Sequence, residues 1–428
     1  TRVRSSAASD VYKRQVDKPT SPSREDLSDL IPRFDQRGMD LGLERMQQAL
    51  QAMGNPCASI PAIQVVGTNG KGSIASFIAS SLKAAGIRVG LTTSPHLVSW
   101  CERISSDGEL ISIVELRQRL TALQPLAQTH RLTPFELLMA TAFDHFRSRE
   151  VELLVLEVGL GGRLDATTAH PYRPIIAMAN IGLDHCEHLG YSLEEITAEK
   201  SAVISPGAAV ISARQQAEVA SILEDKANHQ QARLQWVSPL PEHWDLGLPG
   251  VLQRQNAAVA KGALESLAPL GWRLNQDVIR TGLAQAYWPA RLQTVHWQSQ
   301  PVLIDGAHNP PAAERLAHER QQWSNQEFGV CWVLGLQAHK QAPAMLRHLL
   351  KPSDLAWIVP VPEHCSWTQH QLAAHCPDLS SQLQSADNVE QVFSILLKQN
   401  RWPNPPPVVA GSLYLLGDLL AKQTIKAE

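Results

Sequence analysis

The stretch Ile63-Gln64-Val65-Val66-Gly67-Thr68-Asn69-Gly70-Lys71-Gly72-Ser73 decides how this chain is read. An apolar run gives way to a glycine-rich loop, and residues 74–85 that follow are small and apolar. That order predicts a strand, a turn and a helix. Such a junction is an anion cradle, because backbone N–H groups and the positive end of the helix dipole face one space. Lys71 adds a cation for the terminal phosphates of a nucleotide, and Ser73 a hydroxyl for Mg²⁺. Gly67, Thr68, Asn69, Gly70, Lys71, Gly72 and Ser73 are therefore the candidate phosphate-binding residues. The spacing is not the standard G-x-x-x-x-G-K-[ST]: the loop from Gly67 to Lys71 is shorter, and Gly72 separates lysine from serine. A tight structural turn ahead of a helix is the alternative reading of these residues.

Outward from the loop, strand-like and helix-like segments alternate. Residues 88–92, 151–158, 174–181 and 209–212 read as strands, and 113–123, 133–149 and 193–204 as helices. Residues 151–158 are almost continuously apolar, as expected of a strand buried on both faces. This βαβ rhythm predicts a mostly parallel sheet with helices on both sides. The stretch 239–250 contains three prolines and two glycines and breaks the pattern. Two helical segments follow, 256–267 and 275–286, and Trp288-Pro289-Ala290-Arg291 reads as a hinge. Beyond it the alternation restarts, with strands at 302–305, 330–335, 355–359 and 407–410 and helices at 312–318 and 343–350. The fold class is therefore α/β, with an N-terminal P-loop-type domain and a smaller Rossmann-like C-terminal α/β domain. The expected boundaries are 25–288 and 289–428. Residues 1–24 are rich in Ser, Arg and Lys without apolar periodicity. They are expected to be disordered or extraneous to the fold.

At 428 residues the chain is long enough for two or three cores. A net charge of −3 lacks the basic excess of a nucleic-acid or membrane-surface binder. No window approaches the roughly 18 continuous apolar residues of a membrane span. Six cysteines with no C-x-x-C pair fit reduced thiols in a cytoplasmic protein.

Ligands of open α/β sheets gather at the carboxyl ends of strands. Polar clusters fall at those positions: Glu157 to Asp165, Gly182 to His185, and Asp305-Gly306-Ala307-His308-Asn309. Glu157, ending a buried strand, needs a partner, which is Mg²⁺ in one reading and a helix cap or Arg163 in the other. His185 is a metal ligand or an ordinary hydrogen-bonded histidine. Lys200 reads as a solvated helix lysine. Asp305 and His308 fit proton transfer or turn chemistry equally. Arg291 either reaches phosphates across the cleft or is a surface charge.

The loop resembles that of folylpolyglutamate synthases and dihydrofolate synthases, the folate branch of the Mur ligase superfamily. The resemblance continues through Thr93-Ser94-Pro95-His96-Leu97, Glu102-Arg103-Ile104, Thr133-Pro134-Phe135-Glu136, Glu157 to Thr167, Ile181 to His185 and Ala198-Glu199-Lys200. It extends to Trp288 to Gln293, Asp305 to Pro310 and Gly411-Ser412-Leu413-Tyr414. It implies Mur ligase architecture, with ATP and two Mg²⁺ sites. Ser73 and Glu157 would hold one ion; His185, with Lys200 carbamylated by CO₂, would serve the other. The lysine reading above is thus replaced on the strength of the resemblance, not of spacing. Asn256 would contact adenine, Arg291 and Asp305 would complete the ATP site, and His308 would lie near the incoming amino acid. Asp165, Ser94, His96 and Ser412 are the implied substrate residues, and Lys71, Lys200, Asp305 and His308 the implied catalytic ones.

The implied reaction adds L-glutamate to dihydropteroate, a reduced folate or both, through an acyl phosphate. The expected partners are these small molecules and ATP, with no nucleic acid and no membrane, and the expected state is a monomer. The alternative is a Mur-type ligase for another carboxylic acid. Departures from the family pattern are Thr168 for an asparagine, Leu252 for a histidine, Gln337-Ala338-His339-Lys340 without flanking acids, and Cys365-Ser366-Trp367-Thr368 for an arginine-containing segment.

Overall fold

The computed structural model describes residues 27–31, 40, 42–323, 329–399 and 402–427. The expectation for residues 1–24 lies outside the described residues. The first sheet comprises β1 (Ala62–Val66), β2 (Val89–Thr92), β3 (Ile104–Ser106), β4 (Glu109–Leu110), β5 (Leu153–Glu157), β6 (Ile175–Met178), β7 (Ala209–Ala213) and β8 (Arg233–Val237). Their order is β4-β3-β2-β5-β1-β6-β7-β8. All neighbours from β2 to β8 are parallel, and β3 and β4 add an antiparallel edge. Asp107-Gly108, both at positive φ, turn β3 into β4, as an Asp-Gly hairpin requires.

β1, β5 and β6 are buried along their whole length. Their branched aliphatic side chains pack against helices on either face, which is why they lack the alternation of a half-exposed strand. Strand β1 is central, with the chain moving to β2 on one side and to β6 on the other. Its carboxyl end is thus the switch point at which a doubly wound sheet opens a crevice.

The second sheet comprises β9 (Gln293–Trp297), β10 (Gln300–Ile304), β11 (Cys331–Gly335), β12 (Leu355–Val359), β13 (Leu383–Ser385), β14 (Val408–Ala410) and β15 (Lys426–Ala427). Their order is β13-β12-β11-β14-β10-β9-β15, parallel from β13 to β10 and antiparallel beyond. Among the described residues no helix is long and apolar enough to cross a membrane.

Several elements differ from their sequence-based bounds. The helix expected at 74–85 is Lys71–Ala84, so the loop lysine is itself the first helical residue. The helix expected to end at 123 runs as Ile113–His130, with Pro125 inside it. The helix expected at 256–267 is Val251–Glu265. The pair of Ala217–His229 and β8, and the hairpin of β9 with β10, were not anticipated.

Candidate active site

The phosphate loop leaves β1 at Gly67, whose φ of 142° lies in glycine territory. A Cβ there would sit 2.7 Å from Ala179 Cβ. Gly70, at φ 98°, caps the helix Lys71–Ala84 without any side-chain hydrogen bond, leaving the first-turn N–H groups for an anion. The unusual Gly72 has a packing cause, because a Cβ would lie 2.8 Å from the Trp288 ring. Thr68 ties the loop to the next strand end: its N–H donates to Asn180 O at 2.7 Å and its hydroxyl to Gly182 O at 2.9 Å.

Ser73 Oγ is buried and has no hydrogen-bond partner. A buried hydroxyl in that state awaits a ligand. Glu157, at the end of β5, is also buried, and its Oε2 accepts from Ser94 N–H at 3.0 Å. Burial pushes its carboxyl up to about 7, against the pull of Lys71, the Ser94 amide, Arg291 and Arg103. A cation would restore the charged form. Among the described residues no group of three His, Cys, Asp or Glu side chains forms a metal cage. One hydroxyl and one carboxylate beside a phosphate cradle do fit Mg²⁺, which binds through few protein oxygens plus substrate phosphates and water.

Lys200 is no solvated lysine. It is buried, and its Nζ donates to Gly67 O at 3.0 Å, under the first loop residue. Burial, aided by Lys71, pushes the amine down to about 7. The lowering favours the neutral amine over the ammonium. His185 adopts the left-handed conformation at φ 51°, a strained state for a non-glycine residue. Burial pushes its imidazole down to about 4 despite Asp184, with Lys340, Lys71 and His308 acting in the same direction. It is neutral, the form in which imidazole ligates metals.

Across the cleft, Asp305 accepts from Leu292 N–H at 3.0 Å and Ala307 N–H at 2.9 Å, shaping its own turn. Burial raises its carboxyl, and Arg291 opposes the rise. Arg291 is flanked by Ala290 at φ 57° and Leu292 at φ 44°, so the hinge backbone is strained on both sides of it. His308 Nδ1 lies 2.8 Å from Gly306 O. A carbonyl only accepts, so Nδ1 carries the proton and Nε2 presents a lone pair. Burial, with Lys340, holds this imidazole down at about 4.

The two sheets meet through contacts that sequence reasoning did not foresee. Asn309 Nδ2 donates to Asp184 Oδ2 at 2.7 Å, and Asn69 Nδ2 to Asn309 Oδ1 at 3.2 Å. Lys340 Nζ stands 3.7 Å from Asp184 Oδ1. Burial pushes the Asp184 carboxyl up, but His185, Lys340, His308 and Asn309 outweigh it and hold it at about 2. Asn256 lies against the loop, where a Gly70 Cβ would come within 2.6 Å of its Oδ1, and it donates to Gln253 Oε1 at 2.9 Å.

The implied substrate residues divide. Ser94 lends its amide to Glu157, and His96 Nδ1 accepts from Arg103 Nε at 2.9 Å while its ring lies 4.5 Å from that of Trp100. Asp165 instead turns both oxygens onto its own loop. Oδ2 takes Gly159 N–H and Leu160 N–H, and Oδ1 takes the Thr167 amide and hydroxyl. Ser412 is buried and caps the helix Leu413–Ala421 by accepting from Tyr414 N–H at 3.2 Å. Both side chains are engaged in shaping backbone, so their role in the resemblance is carried by position rather than by a free polar group.

A P-loop-type parallel sheet, a second α/β sheet and a charged cleft between them define the class of a Mur-type ligase. Residues 65–238 match the family model of the Mur ligase middle domain, and residues 290–422 that of the dihydrofolate synthetase C-terminal domain. The dihydrofolate synthetase of Saccharomyces cerevisiae is 30% identical, over 89% of this chain and 97% of its own length. The dihydrofolate synthase/folylpolyglutamate synthase of Bacillus subtilis is 31% identical, over 89% and 95%. The Mycobacterium tuberculosis folylpolyglutamate synthase, solved with ADP and AMPPCP, superimposes with a TM-score of 0.80 at 27% identity, covering 91% of this chain and 96% of that one. The chain belongs to the dihydrofolate synthase/folylpolyglutamate synthase family of Mur ligases.

Proposed function

We propose that this protein is an ATP-dependent ligase that joins L-glutamate to dihydropteroate, to a reduced folate or to both, releasing ADP and phosphate. The observation that carries this function is the partnerless Ser73 hydroxyl in a phosphate cradle beside a buried carboxylate held near 7. Relatives of like length carry both activity names, and an Escherichia coli FolC structure with DHPP and ADP superimposes with a TM-score of 0.77.

The substrate carboxylate attacks the γ-phosphorus of ATP, the bond to ADP breaks, and an acyl phosphate forms. The glutamate amine, its ammonium proton already released to solvent, attacks the acyl carbon. The C–O bond to phosphate breaks in the tetrahedral intermediate, and the proton lost from nitrogen leaves with the phosphate. Lys71, the loop amides and Arg291 neutralise the transferring phosphoryl group. His308 Nε2 accepts a hydrogen bond from the amine and orients it, and Asp184 stabilises any charge the ring gains. Mg²⁺, held by Ser73 and Glu157 and at a second site by His185 and carbamylated Lys200, would supply charge neutralisation at the phosphates. Asn256 and Asp305 position the nucleotide; Ser94 and His96 face the acid substrate, with Asp165 and Ser412 holding the backbone around it.

Residues up to 288 act as the ATP-binding domain and those from 289 as the glutamate-ligase domain. Closure between them excludes water from the acyl phosphate. The enzyme works as a cytoplasmic monomer on small molecules, and its six free cysteines fit a reducing compartment. The test is chromatographic analysis of products formed from Mg-ATP and L-glutamate with dihydropteroate or tetrahydrofolate. A glutamate-extended product from either acceptor supports the function and says which activities are present. None from either, with ATP still bound, would reassign the enzyme to another carboxylic acid.

A further inference from the structure

We propose that Glu319 is a positioning residue that latches the second sheet's half of the molecule onto the helix carrying Asn256. The helix Val251–Glu265 starts at Gly250 without any side-chain cap of its own. Its first amides are taken instead by Glu319, 67 and 68 residues away: Val251 N–H donates to Oε2 at 2.8 Å and Leu252 N–H to Oε1 at 2.7 Å. Gly250 is at φ 110°, and a Cβ on it would lie 3.0 Å from Glu319 Oε1, so glycine lets the carboxylate in. Glu319 is only 4% exposed.

The placement runs against the preference of its own element. Glu319 is the last residue of the helix Pro310–Glu319, where a negative charge opposes the helix dipole. The same carboxylate is favourable at the N-terminus of Val251–Glu265, which supplies the compensating partial charge. The next residue, Arg320, is bound to Asp354 and leaves Glu319 to the neighbouring helix.

Helix Pro310–Glu319 is thereby fixed to the first half at both ends. At its start, Asn309 holds Asp184 and faces Asn69 of the phosphate loop. At its end, Glu319 holds the helix that presents Asn256, itself bound to Gln253, to Gly70. Docking of the two halves and the position of Asn256 are set by one strut. This consequence for the nucleotide rests on Asn256 facing ATP, as proposed above; the latch itself rests only on the contact.

The test uses the full chain with Glu319→Gln, which keeps one acceptor but turns an NH₂ toward the second amide. Val251→Pro provides an independent variant, since it removes one donor at the first helical position, where proline is tolerated. ADP affinity by calorimetry and radius of gyration by small-angle scattering are the readouts. Each variant is expected to weaken ADP about fivefold and to expand the ligand-free protein. The double variant should be little worse than either single one, because with the Val251 amide gone the one acceptor that Glu319→Gln keeps can still serve Leu252 N–H. Glu265→Gln, at the far end of the same helix, serves as a control with unchanged affinity. A lowered melting temperature with unchanged ADP affinity and unchanged radius would overturn the latch and leave Glu319 a plain helix cap. Absence of ADP binding by the unmodified protein would count against the ATP assignment instead, and the latch would then stand or fall on the radius alone.

Discussion

Two buried clusters, one in each half, differ in how many donors their carboxylate receives. Around Asp354, Arg320 pairs with the carboxylate, and Val330 N–H, Lys351 N–H and Trp332 Nε1 donate to it as well. Around the phosphate loop, Ser73 Oγ has no partner, Glu157 accepts from the Ser94 amide, and Lys200 donates to Gly67 O. The Asp354 carboxylate is held by donors as scaffold, even though Arg320 Nε beside it has no partner, whereas the phosphate-loop groups short of partners lie at a strand-end crevice where a ligand can complete them. The difference explains why burial moves the ionisation of Glu157 and Lys200 so far.

The comparison can be broken by mutation. Asp354→Ala should cost about 3–5 kcal/mol in urea unfolding, because Arg320 is left buried and unpaired, while KM values of the folded fraction stay unchanged. Glu157→Gln should do the reverse. Turnover should fall about a hundredfold or more, yet the metal-free protein should melt no lower than the unmodified one, since a poorly compensated buried carboxylate is gone. A loss of stability in Glu157→Gln would place Glu157 with Asp354 as scaffold. Gly72→Ala should cost about 1–3 kcal/mol through the clash with Trp288, and Trp288→Leu should recover part of it. The smallest effect is in pH. Lys200 has its amine lowered from 10.5 to about 7, so the folded state gives up its proton first. Below about 7 both states are protonated and the burial cost is complete. Stability should then rise as pH climbs from about 7 toward the unfolded value, relative to Lys200→Met, in metal-free, CO₂-free buffer.

Much of this arrangement was legible in the sequence, and for physical reasons. The phosphate loop is local chemistry, with glycine, lysine and serine on consecutive positions at a strand end. The placing of Glu157 and His185 at or just beyond neighbouring strand ends was also legible, because a parallel sheet brings those ends together. Lys200 was not, since a lysine on an amphipathic helix looks solvated until the tertiary fold buries it. The Asn69–Asn309–Asp184 network joins residues 240 and 125 positions apart, and no periodicity encodes such a contact. The β3–β4 hairpin carried a signal in Asp107-Gly108. Glu319 carried one too, as an acid closing a helix where a base is favoured, which asks for a partner elsewhere. Asp165 and Ser412 came from resemblance alone, and their hydrogen bonds turn inward.

The most direct measurement of the central claim is glutamate-dependent ADP release from Mg-ATP with a pteroate or folate acceptor, comparing the unmodified protein with Lys71→Ala. The phosphate-loop account predicts release that needs both glutamate and acceptor and falls about a thousandfold in the variant. Equal release by the two proteins, or release indifferent to glutamate, would contradict it.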